Sequence, residues 1–331
     1  MPRRHVMKKR FLIPIFVIVA LVTGLFLGTI GSAAIYNQPL YSTTVSTDLQ
    51  KDAANQRNGG QVYYVDGNVI NDSGDGTSWA TAYQKLSTAM AASHANIGLA
   101  SNRAWAARNV IYARGDRLTE TLIAFPQKTD IIGVGSCDNF TRVVVRGNHA
   151  PVNTAVGTRF FNIQFEPTTA AVIMTLTSAS TGIEFHGCIF EAWGAAAATT
   201  AIKTTAHGWL KVEDCEFNGA YSDTVIDIAA GNVNGMRILR NSIQGGAQNG
   251  IEVTGTTTVT RSMMALIADN LIQVAGFVIL DGNDDTINVM RNRCISAGIS
   301  EAAAFEIDEG HAVDNVITYN DTTSVMVPII P

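Results

Sequence analysis

From Ile163 toward the carboxyl end, one short apolar alternation keeps returning. It reads IQF at Ile163, CIF at Cys188, CEF at Cys215, NSI at Asn241, NLI at Asn270, NRC at Asn292 and NVI at Asn315. Successive copies lie 25, 27, 26, 29, 22 and 23 residues apart. Alternation with a period of two marks a strand with one buried face. A variable repeat of roughly 20–30 residues marks a solenoid whose insertions fall in its turns. The repeats carry no helical periodicity, so a β-helix fits better than a leucine-rich horseshoe.

The first residue of each copy then acquires a meaning. If each repeat is one coil, Cys188, Cys215, Asn241, Asn270, Asn292 and Asn315 occupy the same corner of successive coils. Neighbouring strands stand about 4.8 Å apart, within reach for one side-chain amide to bond the next. An inward amide without a partner would cost roughly 1–3 kcal/mol. The column therefore predicts an amide ladder, continued by the two cysteines as small apolar members. Seven such coils make a cylinder on the order of 34 Å long.

Ahead of the repeats, short β-rich bursts (Val110-Ile111-Tyr112, Thr121-Leu122-Ile123, Ile131-Ile132, and RVVVRG from Arg142) are separated by turn residues. Before these comes VYYVDGNVINDSGDGTSWATAYQKLSTAMAA, Val62 to Ala92. It reads as a strand, a glycine-rich loop and a helix with Tyr83, Leu86, Ala89 and Met90 on one side. A calcium loop of the EF-hand type fails in both registers: from Asp66 the fifth and sixth positions are Ile70 and Asn71, and from Asp72 the third is Gly74. Asp72 and Asp75 are instead expected to bond their own turns, with Gly74 and Gly76 taking strained dihedrals.

Composition adds a compartment. Phe11 to Ile30 is an uncharged run of twenty residues preceded by Arg3, Arg4, Lys8, Lys9 and Arg10. A helix of that length spans roughly 30 Å, the depth of a bilayer core. The basic flank places the amino terminus inside and the remainder outside. A cleaved signal peptide ending near Ser32-Ala33-Ala34 is the alternative, and a segment buried in a virion assembly is a third. Without the five leading cations, 18 basic residues face 28 acidic ones, which repels phosphate and excludes a nucleic-acid binder. Four cysteines with no CxxC pair exclude a disulfide scaffold and argue against zinc. The expected organisation is an anchor or signal at 1–34, a polar linker at 35–60, an opening strand and capping helix at 61–108, and a parallel β-helix at 109–325.

Residues 60–320 resemble the right-handed parallel β-helix of the pectate-lyase superfamily and phage tailspikes. The likeness is carried by YVDGNVINDSGDGTSWATAYQKLSTAM, similar to the segment that caps the first coil there, and by IYARGDRLTETLIAFPQKTDIIGVG, similar to the first coils. The resemblance implies an all-β, single-stranded right-handed solenoid, capped by Asp72, Asp75 and Trp79, the loop delivering Trp79 and the helix onto its open end. It also implies chemistry on acidic polysaccharides in some members. A lyase needs acids around Ca²⁺ with an arginine as base. The best set here is Asp281, Asp284, Asp285, Arg291 and Arg293, with Glu306, Asp308, Glu309 and His311 about one coil later. A hydrolase of the pectin-cleaving kind carries Asn-Thr-Asp, Asp-Asp, Gly-His-Gly and Arg-Ile-Lys in order. Asp284-Asp285 matches the pair, Glu309-Gly310-His311-Ala312 departs from the histidine motif, and the other two are missing.

His186 and His207 are 21 residues apart, off the local period, so they do not stack as metal ligands. Trp193, Trp209 and Tyr221 flank GAAAATTAIKTTAH and suit either a sugar face or a cover over the turn between coils. The sequence thus reads as an exported or virion-surface module that binds surface glycan or serves as a structural subunit, without a complete catalytic set. It needs no cofactor, and the partners are a polysaccharide, a membrane through residues 11–30, and further copies in a homotrimer or larger assembly. The alternative is a lyase or glycosidase using Asp284, Asp285, Asp308 and His311, with Ca²⁺ under the lyase form.

Overall fold

The computed structural model describes residues 60–97, 107–115, 117–135, 142–177, 180–192, 197–205, 208–230, 234–246, 249–253, 265–275, 279–281, 287–296, 305–307, 311–313, 316–319 and 327–328. All fall within one compact unit, Ala53–Pro331. The hydrophobic run at 11–30 lies outside the described residues. Among those described, no helix is long and apolar enough to cross a membrane.

The chain winds as a parallel β-solenoid with three walls of ten, ten and six strands. One coil supplies Glu184–His186 to sheet 1, Ile189–Ala192 to sheet 2 and Ile202–Thr205 to sheet 3. The next coil lies beside it in register, pairing Phe185 with Val212, Phe190 with Phe217 and Ile202 with Ile226. Alternation decides which side chains enter. Phe165, Phe190 and Phe217, all fully buried, stack with centroids 5.1 and 5.0 Å apart. Phe160 and Phe185, partners on adjacent strands of sheet 1, stack likewise at 5.3 Å. Each such ring contributes about 1.5–3 kcal/mol by leaving water. Among the described strands the sole antiparallel pairing is at the end, where Val327–Pro328 folds back on Val316 and Ile317. Proline has no donor to offer a further strand, so it blunts that edge.

The opening strand Val62–Asp66 is itself the first rung of sheet 1, in register with Asn109–Arg114. Its free edge is closed by the loop that follows. Tyr64 N–H donates to Gly76 O at 2.8 Å, Asp66 N–H to Tyr83 O at 2.8 Å, and Tyr83 N–H to Tyr64 O at 2.9 Å. Tyr83 is thus drawn into edge pairing, and the helix α1 starts only at Leu86 and runs to Asn96. Leu86, Ala89 and Met90 join the main hydrophobic cluster together with Tyr63 and Val65.

Three expectations for this segment need correction. Asp72 does not serve its own turn: its Oδ1 accepts Gln84 N–H at 2.7 Å and Lys85 N–H at 3.2 Å, and its Oδ2 accepts the Thr88 hydroxyl. With Glu120, whose carboxylate accepts Leu86 and Ser87 N–H at 2.7 and 2.9 Å, it satisfies the exposed donors of the helix start. Asp75 does serve its turn, accepting Thr77 N–H and the Thr81 hydroxyl at 3.0 and 2.6 Å. Gly76 takes a left-handed φ of 69°, whereas Gly74 is needed for space, since a Cβ there would meet Thr81 O at 2.1 Å. Trp79 packs edge-on against Tyr64 at 4.8 Å with the Arg114 guanidinium 4.1 Å from its ring. Tyr63 and Val65 point into the core, so the intervening Tyr64 places Trp79 on the outer face of sheet 1 rather than over the core's end.

Candidate functional site

Two corners of the coil recur with left-handed backbone, and they differ in what they carry. Between sheets 1 and 2 the bend falls on Asn162, Gly187, Asp214, Arg240, Asp269 and Arg291, all with φ between 53 and 59°. The next residue turns inward and forms the ladder. Asn241 Nδ2 donates to Asn270 Oδ1 at 2.9 Å, and Asn270 Nδ2 to Asn292 Oδ1 at 2.8 Å. Each amide also reaches back to the preceding coil, Asn241 to Val212 O, Asn270 to Ile238 O and Asn292 to Ile267 O, at 2.9, 2.9 and 3.0 Å. Cys188 and Cys215 were expected as apolar fillers, but their thiols make the same backward reach, to Phe160 O at 3.6 Å and Phe185 O at 3.5 Å. Asn315 lies outside the described residues.

On the outside of this corner the bend residues pair by charge. Arg240 grips Asp214 at 2.7 and 2.8 Å, and Arg291 grips Asp269 with the same two distances. Asp269 is held below the usual carboxylate range by the Arg291 bond, against the opposing effect of burial. Arg291 is thus engaged with an aspartate at the coil's own corner. Asp284, Asp285 and Asp308 lie outside the described residues. His311 sits in sheet 1 beside Asn288, and its side chain is likewise outside. Among the described residues no group of histidines, cysteines and acids is placed to hold a metal.

The second corner precedes sheet 1. Its bend residues are Lys128, Gly157, Gly182, Trp209 and Gly235, with φ of 37, 73, 63, 61 and 62°. The backbone N–H of each of the first four donates to the next coil: Lys128 to Val156 O, Gly157 to Thr181 O, Gly182 to Gly208 O and Trp209 to Asn234 O, at 2.9–3.0 Å. Glycine is the natural occupant, because a Cβ in this conformation costs about 1–2 kcal/mol. Trp209 stands where the coils on either side have glycine. Its indole lies against Gly235, where an added Cβ would come within 2.2 Å of Cε3, and it remains 46% exposed.

Two residues after each bend stands an outward charged side chain of sheet 1: Asp130, Arg159, Glu184, Lys211 and Arg237. Arg159 bonds Asp130 at 2.7 and 2.6 Å, and Lys211 bonds Glu184 at 2.8 Å. Burial pushes the Glu184 carboxyl up, but His186 at 2.8 Å and Lys211 together outweigh it and hold it at about 2. His186 also stacks on Phe161 at 5.0 Å. It is a satisfied single histidine, and His207 lies outside the described residues.

The other proposed sugar platforms fare differently. Tyr221 is 2% exposed and its hydroxyl donates to Phe190 O at 2.8 Å, so it is a core residue and offers no face to a ligand. Trp193 lies outside the described residues. The sequence reading missed one acidic pair altogether. Gln164 Nε2 donates to Glu166 Oε1 at 3.0 Å and to Glu191 Oε2 at 2.5 Å, which puts the two oxygens no more than 5.5 Å apart. Burial and the neighbouring Glu166 raise the Glu191 carboxyl, and Arg117 lies 3.5 Å from Glu166. The signal was present as the glutamate following IQF and CIF in two consecutive repeats.

Comparison of the chain with protein families, with curated proteins and with solved structures finds no match.

Proposed function

We propose that this chain is a glycan-binding β-solenoid of right-handed winding, displayed outside a cell or on a virion, with Trp209 as the platform for a sugar ring. The observation that carries this reading is the tryptophan in a left-handed corner whose neighbouring coils use glycine. Backbone strain of this kind persists at sites where the side chain has work to do. One indole face is spent on Gly235, and the exposed remainder is flat and apolar, the complement of a pyranose ring. Glu184, Lys211 and Arg237, in adjacent coils of the same wall, supply acceptors and donors for hydroxyls. The run at 11–30 tethers the body or directs its export.

Binding of the full chain in detergent to an array of surface polysaccharides tests this. Trp209→Ala is expected to weaken the strongest interaction at least tenfold, about 1.4 kcal/mol. Equal binding by the variant, or no binding by the parent, would reject the reading.

A glycosidase is the second reading, favoured by the close Glu166–Glu191 pair with its raised Glu191 carboxyl, two neighbouring carboxyls of the kind a retaining mechanism uses. Incubation with the bound polysaccharide and analysis of reducing ends tests it. Release that disappears in Glu191→Gln supports it, and no release in the parent removes it.

A further inference from the structure

His149 is sealed into the core of the early coils, 1% exposed, and its backbone bridges to Met174, where sheet 3 begins. Leu122 N–H, one coil earlier, donates to its Nδ1 at 3.1 Å. That bond fixes the neutral ring with the proton on Nε2. Nε2 is buried without a hydrogen-bond partner. The ring meets Phe165 edge-on at 5.6 Å and leaves no space at Gly147, where a Cβ would lie 2.9 Å from Cε1. Around it the wall is thin: Ile123 and Val152, joined by Val152 N–H to Ile123 O at 3.1 Å, are 63% and 72% exposed.

We infer that His149 is an acid-sensitive latch, whose protonation breaks the bond to Leu122 and opens this wall of the solenoid. A proton arriving on Nδ1 faces the Leu122 N–H, so donor meets donor and that bond is lost, leaving Ala150 N–H to Leu122 O at 3.1 Å as the tie to the earlier coil. The resulting cation has no counter-charge. Glu120, on the preceding coil, spends its carboxylate on α1. Arg146 and Glu166 pair in register on sheet 2 and alternate with the inward Val145 and Phe165, so they stand on its outer face. Burial, against a small opposing effect of the Val145 carbonyl, lowers the imidazole from 6.5 to about 4. An open form titrating normally then gains from the proton first. Opening is independent of pH above 6.5 and grows as pH falls, rising on the order of 100-fold by pH 4. This inference stands apart from Trp209 and from glycan binding.

Hydrogen exchange of the full chain in detergent, read by mass spectrometry between pH 7 and 3.5 with rates corrected for intrinsic exchange, tests it. Segments 118–125 and 147–153 are expected to lose protection reversibly near pH 4–5, while 237–245 keeps it. His149→Asn places an amide oxygen where Nδ1 stands and does not titrate, so its early coils should stay protected. Protection that persists in the parent to pH 3.5, or is lost at once from all segments, would overturn the latch. So would a folded Asn variant opening at the same pH. Should that variant not fold, the segment comparison in the parent decides alone.

Discussion

Asn270 Oδ1 accepts two bonds from a single residue one coil earlier: the Asn241 side-chain amide and the Asn241 backbone N–H, each at 2.9 Å. One oxygen thereby fixes both the rotamer of its neighbour and the height of the coil. Asn292 does the same for Asn270, at 2.8 and 3.1 Å. Asn270→Ala leaves Asn241 N–H and Ile238 O buried without these partners. The expected loss is about 2–5 kcal/mol, read as a lower midpoint in urea unfolding.

The ladder ends where the amides end. Asn241 Oδ1 accepts Cys215 N–H at 2.9 Å, but a thiol offers only a weak acceptor to the coil before it. Cys215→Asn extends the ladder by one member and gives the Cys188 N–H an acceptor. The variant is expected to gain about 1 kcal/mol, visible as a raised denaturant midpoint.

The ladder was legible because chemistry and spacing coincide there: an amide at the head of each alternating triplet can be seen without knowing the coil. The other corner was not. Lys128, Gly157, Gly182, Trp209 and Gly235 share only a backbone conformation, and no side-chain pattern announces it. Aligning GTRFF, GIEFH, WLKVE and GMRIL would have revealed the tryptophan in a glycine column. The helix start was misplaced for a different reason. Tyr83 belongs to the helical apolar set by spacing, but the unpaired edge of Val62–Asp66 claims its backbone first. Tyr221 was grouped by nearness in sequence with Trp193 and Trp209, as a sugar face or a cover over the turn; it is instead a core residue whose hydroxyl bonds Phe190 O.

Glu184 sets part of the pH dependence. Its folded carboxyl, held at about 2 against a usual 4.5, binds its proton less readily than in the unfolded chain. Its contribution is therefore complete above pH 4.5 and fades as pH falls toward 2. Lys211→Met should cost about 1 kcal/mol at pH 7, the pair being partly exposed. The gap between variant and parent should close between pH 4.5 and 2, as followed by urea unfolding at a series of pH values.

The most direct measurement concerns Trp209, made glycine like its neighbours in the column. Trp209→Gly relieves about 1–2 kcal/mol of left-handed strain while giving up a half-exposed packing contact, so the melting temperature should hold or rise. Saccharide binding should vanish in the same sample. A variant that melts much lower yet binds as well as the parent would contradict the account, and would leave Trp209 as a cover over the turn.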